Sequence, residues 1–90
     1  MPYIKIEDRV VVDSEIEALA KKVVGFPEDK QDGVMNYVIT KLCKEVYTKP
    51  KKSYFKFNRL IGMLTACKDE IYRRLVGPYE DEKIKENGDV

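Results

Sequence analysis

The sequence predicts an all-α fold: a compact three-helix bundle with an extended N-terminal arm and a short C-terminal helix or turn. Two observations predict it. Apolar residues recur at spacings of three and four through most of the chain, and breaks rich in glycine or proline divide this pattern into segments. The chain has 90 residues, 43% hydrophobic and 37% charged, which suits one small globular domain over residues 1–90.

The first two elements are predicted to be an arm and a helix. Residues 2–12, PYIKIEDRVVV, alternate only weakly and have no partner strand, so they predict an arm that packs along the helices or pairs across a dimer. A helix is predicted over about 14–24. Asp13 or Ser14 can cap its start, and a glycine and a proline follow its last apolar residue.

Two longer helices are predicted next. The first covers about 33–48, follows a polar loop at 26–33, and carries a broad apolar stripe typical of a buried central helix. The second covers about 53–76 and keeps its apolar spacing from end to end. Gly62 lies inside this helix, and a close crossing with another helix would explain a glycine there.

The tail, residues 77–90, is predicted to be a short helix or turn. Gly77-Pro78 should end the preceding helix, and proline suits the first turn of a new one. Three consecutive acids, residues 80–82, would then lie where the helix dipole favours negative charge. The charges of the tail therefore have a structural explanation that needs no catalysis.

Composition excludes several functions. The chain contains no histidine, which excludes triads and metal sites that depend on imidazole, and it has neither a Walker loop nor a GxGxxG motif. No cofactor is predicted. Cys43 and Cys67 form neither a CxxC pair nor a disulfide framework, which indicates a reducing compartment. Without a signal-peptide pattern or a long apolar run, the sequence predicts a cytoplasmic location and no membrane contact.

Polar residues interspersed among apolar ones form a first candidate site, which would bind a polar or anionic small ligand through an arginine. The members of this polar cluster are Asn36, Asn58, Tyr72, Arg73, Arg74, Tyr79, Glu80, Asp81 and Glu82. A structural role is favoured over a site, because asparagines can satisfy buried hydrogen bonds and the arginines can pair with the tail acids. No catalytic residue or metal-ligand set is assigned, so an enzyme is the least favoured hypothesis.

The span 41–59, KLCKEVYTKPKKSYFKFNR, is a second candidate, for nucleic acid. It holds seven basic residues and one acid, with aromatic residues between them. Lysines neutralise phosphates, and exposed aromatic rings stack on unpaired bases. The candidate contacts are Lys49, Lys51, Lys52, Tyr54, Lys56 and Arg59. A helix–turn–helix motif is disfavoured, because the linker around Pro50 is long for one.

The preferred hypothesis is a non-enzymatic interaction module that self-associates into a homo-oligomer or binds an unidentified protein partner. A chain of this length has a small core, so association is a reasonable way to bury more apolar surface. Charge is also segregated. The basic span 41–59 contrasts with residues 69–90, which hold seven acids and four bases, and the two could pair between subunits.

Four stretches resemble a known family: MPYIKIEDR at the start, NYVIT at 36–40, NRLIG at 58–62 and YRRLVGPYEDEKIKENGDV at 72–90. The chain resembles an uncharacterised family of small prokaryotic and viral proteins, a domain of unknown function, whose members often end in PYEDEKI-ENGDV. The resemblance implies no activity, cofactor or catalytic residue. Residues 41–57 lie outside the pattern that carries it.

Overall fold

The described residues form four α-helices and one π-helical turn. The computed structural model describes residues 3–90. Its elements, in order, are α1 (Ile6–Val24), α2 (Glu28–Tyr47), α3 (Tyr54–Ile71), the π turn (Tyr72–Val76) and α4 (Gly77–Asn87). The all-α fold class is confirmed, since residues 3–90 contain no strand. None of the helices in this part combines the length and apolarity that a membrane crossing requires.

The N-terminal segment is helical, which differs from the extended arm that the sequence predicted. Residues 3–5 have no regular secondary structure, with Lys5 extended, and α1 begins at Ile6. Residues 1–2 lie outside the described part. The positions predicted to cap the helix start, Asp13 and Ser14, therefore lie inside α1. The valines that suggested extended backbone cost a helix only a few tenths of a kcal/mol each, roughly, so context overrides them.

The connection between α1 and α2 is shorter than the predicted loop. α2 begins at Glu28, directly after Pro27, so most of the polar stretch 26–33 is helical. The Gln31 side chain donates a hydrogen bond of 3.0 Å to the Phe26 carbonyl. The Phe26 carbonyl lies in the tight turn between the helices and has no partner within either helix, so this side-chain bond satisfies it.

α3 begins after Ser53, which caps it. The Lys56 backbone N–H donates to Ser53 Oγ at 3.1 Å, which satisfies one of the free amides of the first turn. Gly62, which was expected at a close helix crossing, lies in open space. A Cβ added there would meet no atom within 4 Å outside its own stretch of helix. The predicted close crossing at Gly62 is not found among residues 3–90.

Gly77-Pro78 does not end the helix as predicted. α3 continues through the π turn into α4, so residues 54–87 follow one helical path. In a regular α-helix Pro78 would leave the Arg74 carbonyl without a donor and its ring would collide with it. The Gly77 N–H instead donates to the Tyr72 carbonyl, five residues back, and this wider turn accommodates the proline. The predicted short C-terminal helix is thus present as α4, with Pro78 in its first turn. Because α4 continues from the π turn and has no free N-terminus, the dipole explanation for acids 80–82 does not apply.

The helices pack in sequence and do not surround a common core. In the described part of the chain, α1 approaches α2, α2 approaches α3, and α4 approaches only the π turn from which it continues. Val23 is the one residue of 3–90 that is buried. The radius of gyration is 16.6 Å, whereas a compact chain of this length has about 12 Å. The described helices therefore pack less compactly than the bundle that the sequence predicted.

Candidate interaction surfaces

The first apolar surface lies between α1 and α2 and is only partly covered within the chain, since Ile16 is 57% exposed. It is a groove of about 210 Å³, lined by Ile16, Leu19, Ala20, Val23, Met35 and Val38. The α1 members recur at spacings of three and four, so they share one face of the helix. Val23 is only 7% exposed. This face therefore holds the one buried residue of 3–90, beside apolar side chains that stay exposed.

A second groove lies between the C-terminal half of α2 and the N-terminal half of α3, and we refer to it as the α2–α3 groove. It has a volume of about 310 Å³ and is lined by Ile39, Thr40, Cys43, Lys44, Thr48, Phe57, Leu60 and Leu64. Phe57 is still 39% exposed. The groove is thus an apolar surface that its own chain only partly covers.

Large apolar side chains are exposed on all four helices. Those outside the two grooves include Ile6, Val10, Leu42, Ile61, Leu75 and Tyr79, each more than half exposed. Single exposed apolar residues are normal on a monomer, but contiguous apolar surface on every element marks an interaction surface.

Glu70 is the centre of a polar cluster at the end of α3. The Tyr3 hydroxyl and Arg73 Nη2 both donate to Glu70 Oε1, the second at 2.7 Å. Arg74 Nε lies 3.9 Å from the same oxygen, and the Arg74 guanidinium lies over the Tyr3 ring. The hydrogen bonds from Tyr3 and then from Arg73 lower the pKa of the half-buried Glu70 carboxyl. The cluster attaches residues 3–5 to the end of α3.

A separate contact spans the π turn. The Tyr72 hydroxyl donates to Glu80 Oε1 at 2.9 Å. This bond raises the pKa of Tyr72, because losing the proton would break the bond and place a phenolate beside a carboxylate. Tyr72 and Glu80 are thus two members of the predicted polar cluster that do meet.

The other members of the polar cluster lie apart. The prediction that the arginines pair with the tail acids differs from the structure, where Arg73 and Arg74 pair with Glu70. Asn36 accepts a bond of 3.5 Å from Thr40 on its own helix. No hydrogen bond or ion pair within residues 3–90 joins Asn36 or Asn58 to the arginines. Lacking that convergence, the cluster offers no single pocket.

Two residues of the Glu70 cluster, Glu70 and Tyr3, were not predicted from the sequence. Glu70 lies three and four residues before the two arginines, which is a helical pairing that the spacing alone could have indicated. Tyr3 carried no such signal, since its contact joins residues far apart in the chain.

Lysines of the basic span hold the linker between α2 and α3. Lys49 Nζ pairs with Glu45 Oε2 at 2.8 Å and lowers the pKa of that carboxyl through this hydrogen bond. Lys56 Nζ donates to the carbonyl oxygens of Lys49 and Lys51, at 2.7 and 2.8 Å. Two of the predicted phosphate contacts therefore have a structural role.

The rest of the basic span is more open. The Arg59 guanidinium lies over the rings of Tyr47 and Phe55, 5.9 and 5.7 Å from their centroids. Lys52 is exposed, as is Tyr54, at 81%. Among residues 3–90, no group of three or more His, Cys, Asp or Glu side chains is arranged to hold a metal ion.

We expect the Glu70 cluster to make stability depend on pH. A carboxyl whose pKa is lowered by folding stabilises the fold at neutral pH, and that contribution is lost as the pH falls below the ordinary value of about 4.3. Urea unfolding at pH 7 and at pH 3.5 should therefore show a smaller loss of stability for Glu70→Gln than for the wild type. Asp69→Asn, with the same charge change on the neighbouring residue, is the control. An equal loss in wild type and Glu70→Gln would contradict the prediction.

Comparison with known proteins identifies a family. The family model described as "Domain of unknown function (DUF6899)" matches residues 1–90, the whole chain. The resemblance noted on the sequence is thereby confirmed, and the match includes the span 41–57. Neither the curated proteins nor the solved structures contain a significant match.

Proposed function

The chain belongs to the DUF6899 family, a domain of unknown function, and we propose from its surfaces that it is a non-enzymatic helical interaction module that self-associates. The proposal needs no catalytic residue. It asks only that a second copy cover the apolar surface which the single chain leaves open.

The exposed area of the chain carries the proposal. The accessible surface is 8219 Å². A compact monomer of 10.5 kDa would expose about 5,400 Å². The excess, about 2,800 Å² per chain, is what each copy contributes in a large, obligate homodimer interface. Burial of this size would supply the core that Val23 alone cannot.

The distribution of charge also supports association. The basic span 41–59 lies on the linker and the ends of α2 and α3, whereas the acids of α4 lie at the other end of the same long helical path. Surfaces of opposite sign favour encounter and orient two partners. A cytoplasmic location is part of the proposal, in keeping with the free thiols of Cys43 and Cys67.

Sedimentation equilibrium at micromolar protein tests the proposal. We expect a mass at least twice the 10.5 kDa of the chain. A protein that stays monomeric across the micromolar range would contradict it. Because association should be driven mainly by apolar burial, raising the salt from 0.1 to 0.5 M should weaken it only modestly, since salt screens the charged contribution alone.

Nucleic-acid binding through the basic span is the second candidate. The exposure of Lys51, Lys52 and Tyr54 favours it, because such a group can contact phosphate and stack on a base. It is the weaker candidate, because Lys49 and Lys56 are engaged in the linker. A small-ligand site at the polar cluster is weaker still, given the separation of its members.

A further inference from the structure

We propose that the π turn and α4 of one copy lie in the α2–α3 groove of a second copy, and that the two chains exchange these arms reciprocally about a two-fold axis. This inference rests on the proposed self-association. It adds which surfaces meet and in which orientation.

Within residues 3–90 the π turn contacts Tyr3 through Arg73 and Arg74, but α4 packs against no element of its own chain beyond that turn. Leu75 is 67% exposed and Tyr79 is 57% exposed. These two residues continue the apolar spacing of α3 from Ile71 in steps of four. Steps of four drift around a regular α-helix, and the wider π turn offsets part of that drift. The π turn and α4 therefore continue the apolar stripe of α3 past the last residue of α3.

The groove offers the complementary surface at the other end of the same helical path. Its α3 side is formed by Phe57, Leu60 and Leu64, and its α2 side includes Ile39 and Cys43. All three α3 residues belong to the stripe that the arm continues. The helical path 54–87 of each chain thus borders the open α2–α3 groove near its start and carries exposed apolar residues near its end.

An antiparallel pair of these long helices places each arm on the other copy's groove. Residues 54–87 span about 50 Å at the rise of an α-helix, and the longest dimension of the chain is 52 Å. With full overlap, position 79 of one helix lies opposite position 62 of the other. Leu60 and Leu64, on the groove side of the helix at that level, then face the Tyr79 ring of the second copy. A two-fold axis makes the contact twice.

Charge selects this orientation over the parallel one. The start of the long helix is basic, with Lys51, Lys52, Lys56 and Arg59 in or before its first turns. Its end is acidic on balance, with Glu80, Asp81, Glu82 and Glu86 against Lys83 and Lys85. Antiparallel pairing brings these opposite charges together at both ends, whereas parallel pairing would bring like charges together, which disfavours it.

Disulfide trapping tests the proposal with a cysteine that the groove already contains. In a Cys67→Ser background, Tyr79→Cys is added, which leaves Cys43 in the groove and one thiol on the arm. Mild oxidation should give a covalent dimer, and peptide mass spectrometry should find the bond between positions 43 and 79. Glu82→Cys, in the same background, is a second trap that retains Tyr79. Lys85→Cys, turned about 120° away from position 79, is the control and should cross-link at least tenfold less.

The outcomes separate this inference from the proposed function. A 43–79 or 43–82 bond between chains supports the arm exchange. The same bond within one chain, seen as a monomer that has lost both thiols, overturns it. A protein that sediments as a dimer but forms neither bond overturns the arm exchange and leaves self-association standing. A monomer in sedimentation overturns both.

Discussion

Leu75→Glu is expected to raise the dissociation constant of the homodimer by about 10²- to 10⁴-fold. Leu75 lies on the arm and is 67% exposed in the single chain, so a monomer would lose little by the change. In the exchanged dimer the side chain is buried, which contributes about 1.5–3 kcal/mol. Because the dimer has two-fold symmetry, it contains two copies of Leu75, and the loss of binding free energy is doubled. Sedimentation equilibrium over a range of concentrations measures the effect.

Lys85→Gln is the matched control for Leu75→Glu. Both changes lower the charge of the chain by one, both lie on the arm, and position 85 is exposed. The control should keep the dissociation constant within about threefold of the wild type, because rim charges contribute little to affinity. Equal effects of the two variants would show that Leu75 is not at the interface.

The stability of the fold is expected to depend strongly on protein concentration. Val23 is the one buried residue of 3–90, so in the proposed dimer most apolar burial comes from the second copy. When folding and association are coupled, each tenfold dilution lowers the free energy of unfolding by about 1.4 kcal/mol of dimer. Urea unfolding followed by circular dichroism, at three concentrations spanning a hundredfold, measures the shift of the midpoint.

The alternative gives a different result in the same experiment. A chain that folds alone has a midpoint that does not move with concentration. A constant midpoint together with a cooperative transition would mean that the helices are stable without the second copy. That result would remove the physical basis for an obligate dimer.

The helical class and several local features could be predicted from the sequence. The apolar spacing of α3 requires only residues close in the chain, and so does the capping of its start by Ser53. Pro78 shows where such reasoning stops. Proline lacks an N–H in every context, but whether a helix ends there or widens into a π turn depends on what the following residues can bond. Here the Gly77 N–H reached the Tyr72 carbonyl, and the helix continued.

The candidate sites were harder to predict for a related reason. Pairs such as Glu70 with Arg73 lie on one helix, and their spacing determines that they meet. The contact of Tyr3 with Glu70 joins opposite ends of the chain. No local pattern encodes a contact of that kind, because it depends on the angles between helices.

Composition, helical spacing and the four stretches that resemble the family were enough to predict that this protein is helical, that it belongs to its family, and that its charges are divided between a basic span and an acidic C-terminal segment. The order in which the helices pack, and the lack of a further partner for α4 among residues 3–90, became known only from the fold. Helical periodicity shows which residues need burial but not which surface buries them. A stripe such as Leu64, Ile71 and Leu75 is satisfied equally by a helix of its own chain or by one from a second copy.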